Sequence, residues 1–259
     1  MINSEINNNP ISIKKKVLVL LIVIGVVLLS LEVAGICDEF IRPTIEKFYS
    51  NNLIIMPIIH HLAILIVAIV AILITKRYIK SNFGFTIGNK KIGIKHCVIT
   101  SIIFLFFMLI IYGLGFIIRG SISTNNQLIK KQAIENIIYM AIIPGITEEI
   151  MCRSFVMTIL YTTFKGEFKY EGKYKDITYS YKLSYAVVIS SIIFALMHTG
   201  IVLYPFSIHF SAQIVIAFIC GLIFGYTFEK TKSIYYPIIM HCAIDFISAL
   251  IVSIFTVFL

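Results

Sequence analysis

Charge is scarce in this chain. Charged residues make up 14% of its 259 residues and hydrophobic ones 59%, against roughly 25% and 45–50% in soluble domains. One soluble core could not hide that much apolar surface. The excess lies in long uninterrupted runs, as a bilayer with ~30 Å of hydrocarbon requires. A contiguous basic face is also missing. The net charge of +9 is dispersed between apolar runs, at Lys14-Lys15-Lys16, Lys76-Arg77, Lys90-Lys91 and the stretch from Lys165 to Lys182. That excludes nucleic acid as a partner and fits positively charged cytoplasmic loops. The five cysteines (Cys37, Cys97, Cys152, Cys220 and Cys242) include no CxxC pair. They read as buried small residues rather than a disulfide framework. No small-x-small site closes the apolar stretch Val17–Leu31, so it is expected to be an uncleaved first membrane helix.

Seven apolar runs stand as candidate spans, at about 17–36, 53–75, 97–118, 133–160, 183–200, 210–228 and 234–258. Their lengths, near 20 residues, suit single crossings, and no strand alternation is seen to compete. Segment 76–96 holds six cations and no acid, whereas 37–52 carries Asp38, Glu39 and Glu46 against Arg42 and Lys47. This bias places the N-terminus, 76–96, 161–182 and 229–233 in the cytoplasm. The mildly basic loop 119–132 dissents. The expected fold class is an all-α polytopic transmembrane helix bundle of about seven to eight spans. Residues 1–16 form a cytoplasmic tail and 17–259 a single transmembrane domain with no repeat or linker.

The first three runs hold few polar residues beyond His60, His61 and His96 near their ends, which read as hydrated interfacial histidines. From about residue 133 ionisable residues enter apolar runs, where each carboxylate costs ~2.5–3.5 kcal/mol to insert, and such residues mark function. Glu148 and Glu149 are neighbours, so their side chains diverge by ~100° on a helix. Glu149 and Arg153 stand at i and i+4, the spacing of an ion pair. That leaves Glu148 as the free acid, suited to a general base. His198 closes the fifth run. His241 and Asp245, again i and i+4, share the last one, where a carboxylate can hold the imidazole's orientation and charge.

Glu148-Glu149-Ile150-Met151-Cys152-Arg153, Phe194 to His198, and His241 to Asp245 resemble, in order, the EExxxR, FxxxH and HxxxN/D signatures of the CAAX-protease and bacteriocin-processing family. The approach to the third motif, from Gly221 through Gly225, Thr231 and Pro237, is similar too. The resemblance covers about 133–250 and implies an intramembrane peptidase. By it, Glu148 activates the attacking water and His198 shares that water. His241 and Asp245 stabilise the oxyanion, while Glu149 and Arg153 support. Where the prenyl-protein branch has asparagine, this chain has Asp245. An ionised aspartate cannot donate to an oxyanion, so Asp245 is recast as the group keeping His241 protonated. This weighs against a prenylated substrate and toward a hydrophobic or membrane-associated peptide.

No cofactor or metal is expected, since a glutamate-and-water mechanism needs none. If the protein is metal-dependent, as the family was long described, Glu148, His198 and His241 are the ligands zinc would find. The chain lacks HExxH, YD with GxGD, and a GxSx serine motif with a helical histidine, which excludes the other intramembrane protease designs. The pair Gly221 and Gly225 reads as close helix packing. The alternative is a non-catalytic immunity or binding protein, or a transporter, on the same scaffold. Frequent Ile, Lys and Asn point to a bacterial plasma membrane. One geometric demand follows. Counted from their loops, Glu148 and His241 lie about 10 Å deep and His198 nearer 20 Å. Convergence therefore requires the fifth helix to begin late, with 177–186 partly at the interface.

Overall fold

The computed structural model describes residues 11–49, 54–119, 127–174, 177–203, 206–209 and 213–257. Part of the expected tail (1–10) and loop residues 120–126 lie outside them. The helices are α1 (Ile13–Tyr49), α2 (Ile55–Thr75), α3 (Lys90–Arg119), α4 (Gln127–Glu149), α5 (Thr158–Thr163), α6 (Tyr185–Met197), α7 (Gln213–Thr231) and α8 (Tyr235–Val257). A π-helix, Ile150–Met157, joins α4 to α5. These three pieces form one continuous rod, so the described residues build seven rods. The protein is an all-α membrane bundle. Among the described residues five helices (α1, α2, α3, α7 and α8) are long and apolar enough to cross a membrane. The central rod carries its own charges, and α6 has only 13 residues. Leu18, Leu21 and Ile22 of α1 and Ile103, Phe106 and Ile110 of α3 are exposed, the surface that lipid covers in a spanning helix.

Several boundaries differ from the sequence reading. Residues 37–49 continue α1 instead of forming a loop. The segment 161–182 is not a plain loop: β1 (Glu167–Tyr174) and β2 (Ile177–Ser184) pair antiparallel, with Glu167 opposite Ser184. A second hairpin, β3 (Gly200–Leu203) with β4 (Phe206–His209), follows α6. Tyrosines and lysines alternating along β1 and β2 looked like loop polarity, because the bilayer signal is a continuous apolar run.

The first hairpin settles where α6 begins. Ser184 ends β2 and caps the helix, its Oγ accepting from the Val187 amide at 3.3 Å and donating to Glu229 at 2.8 Å. A serine in extended backbone at this position satisfies an orphan amide of the first turn. The helix thus starts at Tyr185, thirteen residues before His198.

The loop after α2 is built into the bundle. Phe83 (φ 52°) and Gly84 (φ 80°) make a left-handed bend. The Phe83 carbonyl accepts from Ser154 Oγ at 2.6 Å, and the Gly84 carbonyl accepts from the Ile234 amide at 2.9 Å. That bend ties the turn before α8 to the π-helix.

Close approaches depend on glycine. A Cβ on Gly221 would stand 3.1 Å from Ser191, and one on Gly225 3.1 Å from Val187, so the GxxxG pair does seat α7 on α6. Gly145 is tighter, its Cβ meeting Cys242 Sγ at 2.6 Å and the Cys242 amide nitrogen at 2.9 Å. Gly145→Ala should therefore push α4 off α8 and cost about 1–3 kcal/mol. Gly113→Ala, with nothing within 4 Å, should hold or slightly raise the melting temperature. Thermal unfolding of both variants in detergent checks the contrast.

Candidate active site

Each motif arrives on a separate helix. Glu148 and Glu149 end α4, Arg153 follows in the π-helix, His198 caps the C-terminus of α6, and His241 and Asp245 sit in α8. Pro144 lies one turn before the glutamates, and π-turns recur at functional sites because they re-aim side chains.

The centre is a buried cation. Arg153 and Glu149 are both fully buried, with Arg153 Nε 3.1 Å from Glu149 Oε2. The pair is held by proximity rather than a well-aligned hydrogen bond. Arg153 also donates to the Gly221 carbonyl at 3.2 Å, and its guanidinium lies over the rings of Phe194 (4.6 Å) and Phe224 (5.6 Å). A delocalised cation gains from two aromatic faces where water is excluded.

Glu149 does a second job that its pairing with Arg153 hid. Its other oxygen stands 3.0 Å from His241 Nδ1, so one carboxylate bridges the arginine and the histidine. His241 is thereby fixed with Nδ1 as donor. Its Nε2 faces Asp245 at 3.4 Å and Glu148 at 4.0 Å. Phe224 stacks on the ring at 5.2 Å and Phe194 meets it edge-on at 5.7 Å.

Glu148 points the other way, as the helical angle requires. Its Oε2 has no hydrogen-bond partner in the chain and lies 3.7 Å from His198 Nε2. His198 uses Nδ1 to donate to the Phe194 carbonyl at 2.8 Å, which leaves Nε2 turned to Glu148. The depth demand is met by staggered helix starts. Tyr235 begins α8 six residues before His241, so α6 reaches the same level from about 10 Å further away.

The sequence reading missed one residue here. His61 of α2, read as an interfacial histidine, places Nε2 3.3 Å from Glu148 Oε1. The signal was present: His61 shares a helical face with the buried Ile64, Ala68 and Ile72. The other two stand apart from Glu148, with His60 on Asp38 at 2.8 Å and His96 on Thr227 at 2.9 Å. Among the described residues no group of three or more His, Cys, Asp or Glu side chains is arranged to hold a metal ion.

A cavity of about 410 Å³ opens beside the histidines. Phe104 and Phe107 of α3 and Ala217 and Phe224 of α7 give it apolar walls, and His198, His241 and Asp245 a polar end. Apolar walls with a few convergent polar groups are what ligand sites of ~300–1,000 Å³ show.

Paired glutamates, an arginine and two histidines thus meet inside a membrane bundle, with the histidines and Asp245 at the end of an apolar cavity. Residues 130–247 match the family described as type II CAAX prenyl endopeptidase Rce1-like. The match spans a little under half of the chain, and α1, α2 and α3 lie outside it. No curated protein and no solved structure matches the chain.

Removing the cation tests its structural part. Arg153→Ala should lower folded protein in the membrane, since breaking one side of a buried ion pair costs about 3–5 kcal/mol. Glu148→Ala should accumulate nearly normally. Membrane abundance and melting temperature decide it, and normal accumulation of Arg153→Ala would make the arginine a purely catalytic residue.

Proposed function

We propose that the chain is an intramembrane endopeptidase that hydrolyses a peptide bond in a hydrophobic or membrane-associated peptide. The observation that carries this is Glu148 Oε2, unpartnered and facing His198 Nε2 at 3.7 Å and His241 Nε2 at 4.0 Å. One water bonded at ~2.8 Å to two groups can bridge separations up to about 5.5 Å, so both gaps suit a shared water. Glu148, whose side chain keeps 14% of its exposure, takes a proton from that water. The resulting hydroxide attacks the scissile carbonyl, and the C–N bond then breaks as the proton held by Glu148 passes to the leaving amine.

His241 supplies the charge for the developing oxyanion. With Nδ1–H donated to Glu149 and Nε2 set toward Asp245 and Glu148, three carboxylates surround one ring. Such surroundings suit a doubly protonated imidazolium whose Nε2–H donates to the oxyanion. Asp245 orients that proton and does not itself donate. The apolar cavity takes the substrate's hydrophobic residues beside the bond to be cut, in the plasma membrane of a bacterium with the chain's N-terminus in the cytoplasm. Aspartate at 245 favours an unprenylated peptide.

Cleavage of a hydrophobic reporter peptide in liposomes tests the proposal. Glu148→Ala should abolish turnover and His241→Ala lower it by about 10²–10³, whereas Asp245→Asn should keep part of it. A chelator should leave the wild-type rate unchanged. An immunity or transport phenotype that survives Glu148→Ala, His198→Ala and His241→Ala alike would replace the peptidase with a binding module or transporter.

A further inference from the structure

We infer that His61 is a positioning residue of the active site: it holds Oε1 of Glu148 and so leaves Oε2 turned toward His198 and His241. The inference rests on the peptidase reading. It also extends the site beyond the Rce1-like stretch of 130–247, because His61 belongs to α2.

The geometry is directional. His61 Nδ1 lies 2.9 Å from the Pro57 carbonyl, which can only accept, so Nδ1 carries hydrogen. The Tyr139 hydroxyl approaches the same nitrogen at 2.9 Å, and its ring meets the imidazole edge-on at 5.8 Å. Two partners on one side fix the ring plane and aim Nε2 at Glu148 Oε1, 3.3 Å away. Next along the helix, His60 anchors α2 to α1 through Asp38 at 2.8 Å. The carboxylate is thus gripped by its non-reacting oxygen. A carboxylate turning freely about its last bond would present either oxygen to His198. A held one presents Oε2 alone, and holding a reacting group in register is worth up to ~10² in rate for a displacement of about 1 Å.

Because Nδ1 donates to the Pro57 carbonyl, Nε2 can hold Oε1 only through the second N–H of an imidazolium. In His61→Gln the amide nitrogen can supply that hydrogen from a similar reach. In His61→Leu nothing can.

Two measurements test the role. The first is independent of turnover: nitrogen NMR of histidine-labelled protein in detergent, with the His61 signal assigned by its loss in His61→Gln. Glu148→Gln should shift the His61 Nε2 resonance, and an unmoved resonance overturns the contact. The second is kinetic, on the reporter peptide. His61→Leu should lower kcat about 10–100-fold with KM within about twofold, at unchanged melting temperature, and His61→Gln should recover most of the loss. Full activity in His61→Leu overturns the role alone and leaves the peptidase standing. Activity lost only in step with folded protein, without rescue by glutamine, makes His61 merely structural and likewise overturns it. If the wild type cleaves no reporter while Glu148→Gln still shifts His61, the peptidase reading fails, and the positioning role fails with it.

Discussion

A fully buried arginine is the constraint around which the bundle is arranged. A lone guanidinium in an apolar interior costs many kcal/mol, so its partners must be brought to it from every side. Arg153 takes Glu149 from its own rod, a backbone carbonyl from α7 at Gly221, and aromatic faces from α6 and α7. Gly221 serves twice, offering its carbonyl and letting α7 lie against Ser191. Glu149 then passes the constraint to α8 through His241. The helices that supply the proposed catalytic groups are those that satisfy this cation, so stability and site geometry are one problem here.

That coupling explains why adjacent glutamates diverge in role. Glu149 has both oxygens occupied by cationic or donor partners and no exposure. Glu148, one residue earlier, keeps some exposure, and its Oε2 faces two histidines from beyond hydrogen-bond reach. A helix turning ~100° per residue cannot give both the same surroundings. The fully buried carboxylate serves the scaffold, which leaves its neighbour for the proposed chemistry.

Much of this could be read from residues alone, since a charge in an apolar run is conspicuous. Glu148, Glu149, Arg153, His198, His241 and Asp245 stood out for that reason, and their i and i+4 spacings gave two contacts found at 3.1 and 3.4 Å. The bridge from Glu149 to His241 could not be read, because it joins residues 92 apart through tertiary packing. His61 was passed over because one histidine near a helix end is ordinary. Its meaning lay in sharing the Ala68 and Ile72 face. The first hairpin escaped because it obeys period two in a chain whose dominant signal is bilayer length, and β3 (Gly200–Leu203) because it is itself a short apolar run. The π-helix left no mark, since its residues satisfy an α-helical pattern equally well.

The shortness of α6 bears on the lipid itself. Thirteen residues rise about 20 Å, roughly two thirds of the ~30 Å a hydrocarbon layer measures. The backbone then turns into β3 and β4, which pair with each other and, among the described residues, with no other strand. Strand edges in hydrocarbon would leave amides and carbonyls stranded, which lipid cannot remedy. A helix this short in a bilayer makes a local hydrophobic mismatch, which lipid meets by thinning. The water that the proposed hydrolysis consumes needs a path to Glu148, and a helix shorter than the hydrocarbon layer leaves room for one.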